Sequence, residues 1–451
     1  MASTDQQLVA QERFASQSFL VLTGLPKGSE FGLDGRIWSV DSFSGVKLLP
    51  TGLHFFLFSA APTNETPETL SSGVGVRHGL LRFFKGQETV VEEWDNKREQ
   101  LVSESRTKRR RTADGEREEP IVVSQEYLKG LDAELAPYSD EIEKGWKPLT
   151  SFISEATLAR VVGLDERGNA SVDAVMGTLA DEKELKAAGG KQTWGKVREV
   201  VEEDDDDDEE LELLRYVAMD AKRSWPEGAV GEELSRWSKD KSWCLSNAVE
   251  SQLDGDVKEL LAELQLAFIL FTLLHNFSSL TTYKTLFSLV CRSSSLVLPT
   301  TSRRPSSPAL SQLLTTSSLP LFASFLTLFA SQLTFLDPLF FSDQMPSLDF
   351  YLLEELDALT SSLSDAATEW STREGEEGYE VWREVVKRWD ALANVAVEKF
   401  GWELGMIKGS RGRKHGYEGQ QIKRDPGVYS DDEVDLDDLE EGEDAPVIVE
   451  L

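Results

Sequence analysis

The sequence contains little of what most active sites are built from. Its 451 residues include two cysteines, Cys244 and Cys291, and four histidines. Two distant cysteines form neither a disulfide framework nor a thiolate metal site, and their scarcity fits a reducing compartment. None of the histidines has a Cys, His or carboxylate at a metal-ligand spacing. The composition therefore predicts no metal site and no cofactor.

Motifs of catalysis are missing as well. The glycines of residues 73–79 are spaced G-x-G-x-x-x-G rather than G-x-G-x-x-G, and Leu185 stands where a P-loop would need its first glycine. There is no G-x-S-x-G elbow. His54 could serve a hydrolase as a general base, but no nucleophile lies near it in sequence, which favours a satisfied core histidine. We therefore predict that the protein is not an enzyme.

Positive charge is scarce too. Lys and Arg total 47 against 80 Asp and Glu, which gives a formal charge of −33. Binding to phosphate backbones depends on cations, so no direct nucleic-acid binding is expected, and a basic protein surface is the favoured partner. Residues 106–111, "RTKRRR", are either a nuclear-import address or a solvated loop. Thr112 and Ser430 lie in contexts that kinases accept, as many exposed residues do.

A secretory leader and a membrane span are not apparent. The first 17 residues show no basic region followed by an apolar one. The apolar stretch at 264–274 is about half as long as a bilayer crossing requires. These features predict a soluble, intracellular protein with no membrane partner.

What the sequence does contain begins with a β pattern in residues 18–94. Short runs rich in β-branched and aromatic residues alternate with Gly, Pro, Asp and Asn, at the spacing of an antiparallel sandwich or barrel. In "LHFFLFSA" at 53–60 both alternating sides are largely apolar, and one of them contains His54. This run is predicted to be a central strand with His54 near a core.

Helical periodicity dominates from residue 211 to 404. The stretch 254–277 is apolar on every side, which predicts a helix in the middle of a bundle, whereas 382–400 predicts an outer, one-sided helix. The apolar stripe of the outer helix consists of Trp382, Val385, Trp389, Leu392 and Ala396. Between the two helices, residues 293–308 form a Ser/Thr/Pro-rich connector.

These patterns predict an α+β multidomain chain. An N-terminal antiparallel β-sandwich-like domain at 14–163, with short helices at its end, precedes an acidic linker at 164–210. A C-terminal all-α helical domain follows at 211–404, and the tail at 405–451 should be disordered. The linker contains nine consecutive acids at 202–210, and ten of the residues 431–444 are acidic.

The tail ends in a different composition, "APVIVEL" at 445–451. Val447, Ile448 and Val449 form a β-prone group on an acidic tether, and Leu451 continues its apolar character. Such a peptide can add as a strand to an exposed sheet edge of a partner. Pairing with the protein's own β domain is the alternative.

Several stretches together resemble the A1 cistron-splicing factor family, in the family's order along the chain. They are residues 25–56 ("LPKGSEFGLDGRIWSVDSFSGVKLLPTGLHFF"), 138–158, the pair "LLAELQLAFILFTLL" and "LFSLVCRS" between 260 and 293, "KFGWEL" at 399–404, and "APVIVEL". The resemblance covers residues 14–163 and 211–404. It does not extend to the Arg-rich loop, the acidic linker or most of the tail.

The resemblance implies a non-enzymatic assembly factor of the U5 small nuclear ribonucleoprotein in pre-mRNA splicing. Such a factor is nuclear and cytoplasmic, and it holds the large U5 scaffold protein through its RNase H-like and Jab1/MPN domains until the Brr-type RNA helicase replaces it. It would block premature binding of RNA or helicase. The expected contact residues are Val447, Ile448, Val449, Leu451 and Trp38, although Trp38 could instead fix the shape of the β domain. An acidic chaperone for basic nuclear proteins is the alternative function.

Overall fold

A computed structural model describes residues 16–60, 76–95, 100–103, 130–131, 134–181, 213–219, 224–299, 312–376 and 378–407. The strands are β1 (Ser18–Thr23), β2 (Ser29–Leu33), β3 (Arg36–Val40), β4 (Gly45–Leu49), β5 (Gly52–Ser59), β6 (His78–Phe84), β7 (Thr89–Asp95), β8 (Gln100–Ser103), β9 (Ala136–Pro137) and β10 (Asn169–Asp173). The basic run at 106–111, the acidic run at 202–210 and residues 408–451 lie outside the described residues, so what we predict for them stays a prediction.

The strands form two five-stranded sheets. Sheet A has the order β8-β7-β1-β4-β9, and sheet B has the order β10-β6-β5-β2-β3. Sheet B is antiparallel throughout, whereas β1 runs parallel to β7 and β4 runs parallel to β9 within sheet A. The predicted β-sandwich-like domain is confirmed, except that two strand pairs of sheet A are parallel where antiparallel pairing was expected. Strand β5 is the middle strand of its sheet, as its two apolar sides predict.

The two sides of β5 belong to two different cores. Phe56 and Phe58 are buried between the sheets, in one cluster with Leu20 of β1 and Trp94 of β7. The side chains on the other side of β5 join a cluster that is continuous with the helices. These residues are Leu53, Phe55 and Leu57. Sheet B therefore has sheet A on one face and helices on the other.

The α-helices are α1 (Asp140–Trp146), α2 (Glu155–Val161), α3 (Glu232–Lys239), α4 (Ser242–Gln252), α5 (Val257–Leu273), α6 (Phe277–Cys291), α7 (Gln312–Phe335), α8 (Leu348–Trp370) and α9 (Tyr379–Phe400). Of the 17 residues of α5, 13 are buried, which confirms its predicted central position. The five predicted stripe residues of α9 are its buried residues, so the outer-helix prediction is also confirmed.

One helical segment, Ser318–Phe335 in α7, is long and apolar enough to cross a membrane by length and composition. More than half of this segment, 56%, is buried inside the protein. Phe322, Phe325 and Phe329 are among the most completely buried side chains of the helical domain. This burial is typical of a core helix.

Three details of the fold differ from the sequence-based expectation. Strand β2, "SEFGL", is not one of the runs that the sequence predicts as strands, because Gly32 interrupts its alternation. Strand β10 lies in the stretch expected to be linker, where it pairs with β6 across its whole length. Leu296 and Val297 of the predicted connector are buried in the helical core. In each case pairing or packing with residues distant in sequence orders a stretch whose own composition gives little preference for that structure.

Candidate partner-binding surface

His54 forms a buried hydrogen-bond network within residues 25–56, which we call the opening stretch, and with Tyr138. Its Nδ1 is 2.6 Å from Asp34 Oδ2 and its Nε2 is 3.0 Å from the Pro50 carbonyl oxygen. Asp34 also accepts hydrogen bonds from the Tyr138 hydroxyl at 2.7 Å and from the Phe55 amide at 2.8 Å. The side chains that meet here come from the β2–β3 turn, β5 and the segment after β9. The network therefore ties together three separate parts of the β domain.

Both ring nitrogens of His54 face acceptors, which is the arrangement of a protonated imidazolium. Burial alone disfavours the charged ring, but the Asp34 carboxylate and the Pro50 carbonyl outweigh it and raise the pKa of His54. His54 is 2% exposed, so a substrate cannot reach it. The opening stretch is therefore held in shape by His54, and a hydrolase that uses this histidine as its base does not fit the structure.

Strands β2 and β3 form a tight hairpin whose turn is Asp34-Gly35. Both residues have positive φ, 49° and 85°, as a type I′ turn requires. A Cβ on Gly35 would overlap the ring of Phe335 at the end of α7. The hairpin is thus anchored to the helical domain at its turn and to His54 through Asp34.

Strand β3 is an edge of sheet B and carries the most exposed aromatic side chain of the β domain's described strands. Trp38 is 43% exposed and Ile37 is 38% exposed. The indole of Trp38 stacks on Phe31 of β2, with 6.3 Å between ring centroids. The sequence left open whether Trp38 shapes the domain or meets a partner, and its position permits both: one ring face packs inward while the rest remains accessible.

A set of polar contacts fixes the helical domain against the β domain. Arg160 of α2 forms ion pairs with Glu259, at 2.8 Å, and with Glu263, both on α5. Glu263 Oε2 also accepts the Val217 amide at 2.8 Å. Burial raises the pKa of Glu263, and Arg160 opposes that rise. Two turns of α5 are thereby tied to both α2 and the chain that follows the acidic run.

The end of α5 makes a second set of contacts with sheet B. The Asn276 side-chain amide donates to the carbonyls of Asp173 and Met176, at 3.2 and 2.8 Å. Arg77, just before β6, donates to the Leu273 carbonyl at 3.1 Å and to His275 Nε2 at 3.0 Å. The geometry requires an unprotonated Nε2, and burial together with Arg77 lowers the pKa of His275 accordingly.

Exposed apolar side chains lie at the same junction. Phe277 at the start of α6 is 75% exposed, and Val175 after β10 is 62% exposed. Asn276, the residue before Phe277, bonds to the backbone on both sides of Val175, so both residues belong to this junction. We call Val175 and Phe277 the seam patch. Two strongly exposed apolar side chains at one junction are a candidate contact site for another protein.

No catalytic or metal-binding constellation accompanies these surfaces in the part of the chain that the structure describes. Groups of three or more His, Cys, Asp or Glu residues arranged around a metal position do not occur in the described ranges. A groove of about 290 Å³ between α1, α7 and α9 is lined by small and hydroxyl residues together with Pro148, Phe335, Lys144 and Arg388. The described lining of this groove contains no carboxylate, histidine or cysteine that could act as a base.

Of the contact residues expected from the sequence, the structure places Trp38 alone. Val447, Ile448, Val449 and Leu451 lie outside the described residues. The edge position of β3 and the seam patch were not expected from the sequence. The Asp34-Gly35 dipeptide was the available signal for the hairpin, since it is a strong indicator of a type I′ turn. The seam patch has no comparable local signal.

Comparison with known proteins gives matches to both parts of the fold. A family model described as the AAR2 N-terminal domain matches residues 16–163, and one described as the AAR2 C-terminal repeat region matches residues 216–405. The chain is 27% identical to Protein AAR2 homolog of Mus musculus over 293 residues, which is 64% of this chain and 72% of the relative. It is 26% identical to the Homo sapiens protein of the same name over 296 residues, 64% of this chain and 73% of the relative. The Caenorhabditis elegans protein of that name is 30% identical over 151 residues, 33% of this chain and 36% of the relative.

Proposed function

Since the chain belongs to the AAR2 family, whose members are splicing-related assembly factors of the U5 small nuclear ribonucleoprotein, we propose that it holds the large U5 scaffold protein during assembly. It binds the RNase H-like and Jab1/MPN domains of the scaffold and catalyses no reaction. While bound, it keeps RNA and the Brr-type helicase from engaging too early. The observation that carries this proposal is the family match across both the β domain and the helical domain.

The electrostatics of the chain suit a protein that covers an RNA-binding surface. With a formal charge of −33 it is attracted to basic surfaces and repelled by RNA. Complementary charge accelerates encounter and discriminates against wrong partners. Exclusion of RNA then follows from occupancy of the basic surface.

The packing supports a rigid contact surface on the described domains. One buried cluster includes Leu53 of sheet B, Leu264 of α5 and Trp389 of α9, so the sheet and the helices share a core. Surfaces that are already ordered before binding lose less conformational entropy in the complex. Trp38 and the seam patch are among the exposed apolar groups of the described domains, and such a complex would cover them.

The terminal heptapeptide supplies a separate contact. Residues 445–451 add as a strand to a sheet of the scaffold, and Val447, Ile448, Val449 and Leu451 fill pockets along it. The acidic stretch before them acts as a tether. The protein works in the cytoplasm and the nucleus, and phosphorylation of a Ser or Thr outside the packed core releases the scaffold by adding charge.

Direct binding tests the proposal. The purified chain is titrated with the scaffold's C-terminal region, which contains the RNase H-like and Jab1/MPN domains. We expect a stoichiometric complex, and truncation after Asp444 should weaken it at least tenfold. Unchanged affinity of the truncated chain would rule out strand addition by the heptapeptide but not the contacts of the folded domains. No complex with the complete chain would remove the proposed function.

The acidic-chaperone alternative is separated by a second variant. Deleting residues 202–210 and 431–444 together removes both acidic runs while leaving the described domains and the heptapeptide. A shape-specific assembly factor keeps most of its affinity for the scaffold region, although it associates more slowly. An acidic chaperone loses its capacity to keep histones soluble. If the deletion abolishes scaffold binding entirely, the acidic runs and not the folded surfaces are the site.

A further inference from the structure

Strand β3 is the edge of sheet B that remains open within the described residues. The opposite edge, β10, is largely buried: Asn169, Ala170 and Val172 are at most 3% exposed. One edge of sheet A, β9, is a two-residue strand that contains Pro137, and such an edge offers little to a further strand. By contrast β3 has five residues, of which the first four are exposed.

The pairing of the neighbouring strands shows which amides and carbonyls of β3 bond to β2 and which point outward. The Asp34 amide donates to the Phe55 carbonyl of β5 at 2.9 Å. Alternate residues of an inner strand bond to opposite neighbours, so Phe31 and Leu33 exchange their bonds with β3. Their partners on β3 are Trp38 and Arg36. The amides and carbonyls of Ile37 and Ser39 consequently point away from the sheet.

The edge is held rigidly. Gly32 in β2 lets the hairpin lie close to β5, because a Cβ there would be 2.9 Å from Leu57 Cβ. The turn is fixed against Phe335, and Asp34 is fixed by the His54 network. A preorganised edge with an exposed indole beside it fits an added strand, since little has to be ordered on this side of the contact.

The size of the edge indicates what can occupy it. A stable contact between two globular surfaces buries about 800 Å² on each partner, more than one five-residue strand offers. Two copies of this chain, each with a formal charge of −33, also repel each other. An extended segment of another protein meets neither difficulty, and hydrogen exchange in the free chain distinguishes it from this chain's own residues 445–451.

We propose that the outer edge of β3 accepts an extended segment of the protein partner as a sixth strand of sheet B. The added strand bonds to the main chain of Ile37 and Ser39. It carries apolar side chains at alternate positions, one of which packs beside Trp38. This inference rests on the proposed function, because the partner is the scaffold protein, and it adds a second strand contact that is independent of the terminal heptapeptide.

Ser39→Pro is the sharpest variant for this contact. Proline removes the outward amide, while the bonds from β3 to β2 come from Trp38 and Arg36 and are kept. Ser39→Ala is the matched control, since it changes the same side chain and leaves the amide. In titrations of the complete chain with the scaffold's C-terminal region, we expect Ser39→Pro to weaken binding about tenfold and Ser39→Ala to leave it within twofold.

Hydrogen exchange on the unaltered chain provides a readout that needs no variant. The amides of Ile37 and Ser39 should exchange fast in the free chain and slowly in the complex. Slow exchange already in the free chain would mean that another segment or a second copy covers the edge, and it would overturn the proposal. Binding without protection of these amides, and with equal affinity for Ser39→Pro, overturns the proposal but not the proposed function. Failure of the unaltered chain to bind overturns both.

Discussion

At the scale of single residues, His54 shows how a polar side chain can be essential without taking part in chemistry. Its imidazolium satisfies the Asp34 carboxylate and the Pro50 carbonyl in the interior of the β domain. Removing one member of a buried ion pair leaves the other charge without a partner, which costs about 3–5 kcal/mol of folding free energy. The sequence indicated that His54 lies near a core, but not that Asp34, 20 residues earlier, meets it there.

The raised pKa of His54 makes stability depend on pH in a defined direction. The folded state binds the proton of His54 more tightly than the unfolded chain, in which His54 has the ordinary histidine pKa of about 6.5. The contribution is complete below that pH and is lost as pH rises through the folded pKa. We expect the free energy of unfolding of the unaltered chain, measured in urea, to exceed that of His54→Asn most at pH 6 and less at pH 9.

The comparison between the two chains removes the effect of His275, whose lowered pKa acts in the opposite direction. That histidine destabilises the fold as pH falls below about 6.5, and it does so equally in both chains. If the difference between the unaltered chain and His54→Asn is the same at both pH values, then His54 is not charged in the folded protein.

At the scale of elements, local periodicity determined what could be predicted. The stripe of α9 and the two apolar sides of β5 are repeats within one element, so they can be read from the sequence alone. Strand β2 was missed because Glu30 and Gly32 dilute its alternation, and β10 because "NASVD" is mostly small or polar. Their strand state depends on neighbours that are distant in sequence.

The candidate site shows the same division. Trp38 stood out as an unusual residue in the opening stretch, yet its position on an open edge follows from strand order, which periodicity does not encode. The seam patch requires the contact between Asn276 and the backbone after β10, 100 residues apart in the case of Met176. Pairings of this kind are set by three-dimensional packing, and a single sequence read without an alignment gives no sign of them.

The contact between α2 and α5 leads to a prediction at this scale. Arg160→Met leaves the fully buried Glu263 carboxylate without its cation, and we expect a loss of about 3 kcal/mol in the free energy of unfolding. Adding Glu263→Gln should restore part of that loss, because the uncompensated charge is then gone. Urea unfolding of the two single variants and the double variant measures the coupling.

Arg383→Met is the matched control for this cycle. Arg383 pairs with Glu380 on the surface of α9, where both side chains are more than half exposed. Exposed pairs contribute little, so the change should stay within about 0.5 kcal/mol. Equal losses for Arg160→Met and Arg383→Met would show that the α2–α5 contact contributes no more to the free energy of unfolding than an exposed ion pair does.

At the scale of the whole molecule, the charge of −33 predicts how fast the protein finds its partner. Association with the scaffold region should slow at least tenfold when ionic strength rises from about 0.05 to 0.5 M, because salt screens the attraction. Dissociation should change little. Stopped-flow mixing at several salt concentrations measures both rates.

The variant that lacks residues 202–210 and 431–444 provides the control. It keeps the described domains but has far less negative charge, so its association should be slower at low salt and less sensitive to salt. An unchanged salt dependence would mean that the attraction comes from the folded surfaces rather than from the two acidic runs.

The double covering of sheet B limits how the protein can be divided in the laboratory. A fragment that ends after β10 would expose the apolar side chains of the β domain that share one buried cluster with the helical domain, and a helical fragment would expose the other part of that cluster. Either half is expected to aggregate or to bind heat-shock proteins. Two-hybrid baits made from one half would then detect non-specific binding to the exposed apolar surface. Interaction studies of this protein therefore require the complete chain.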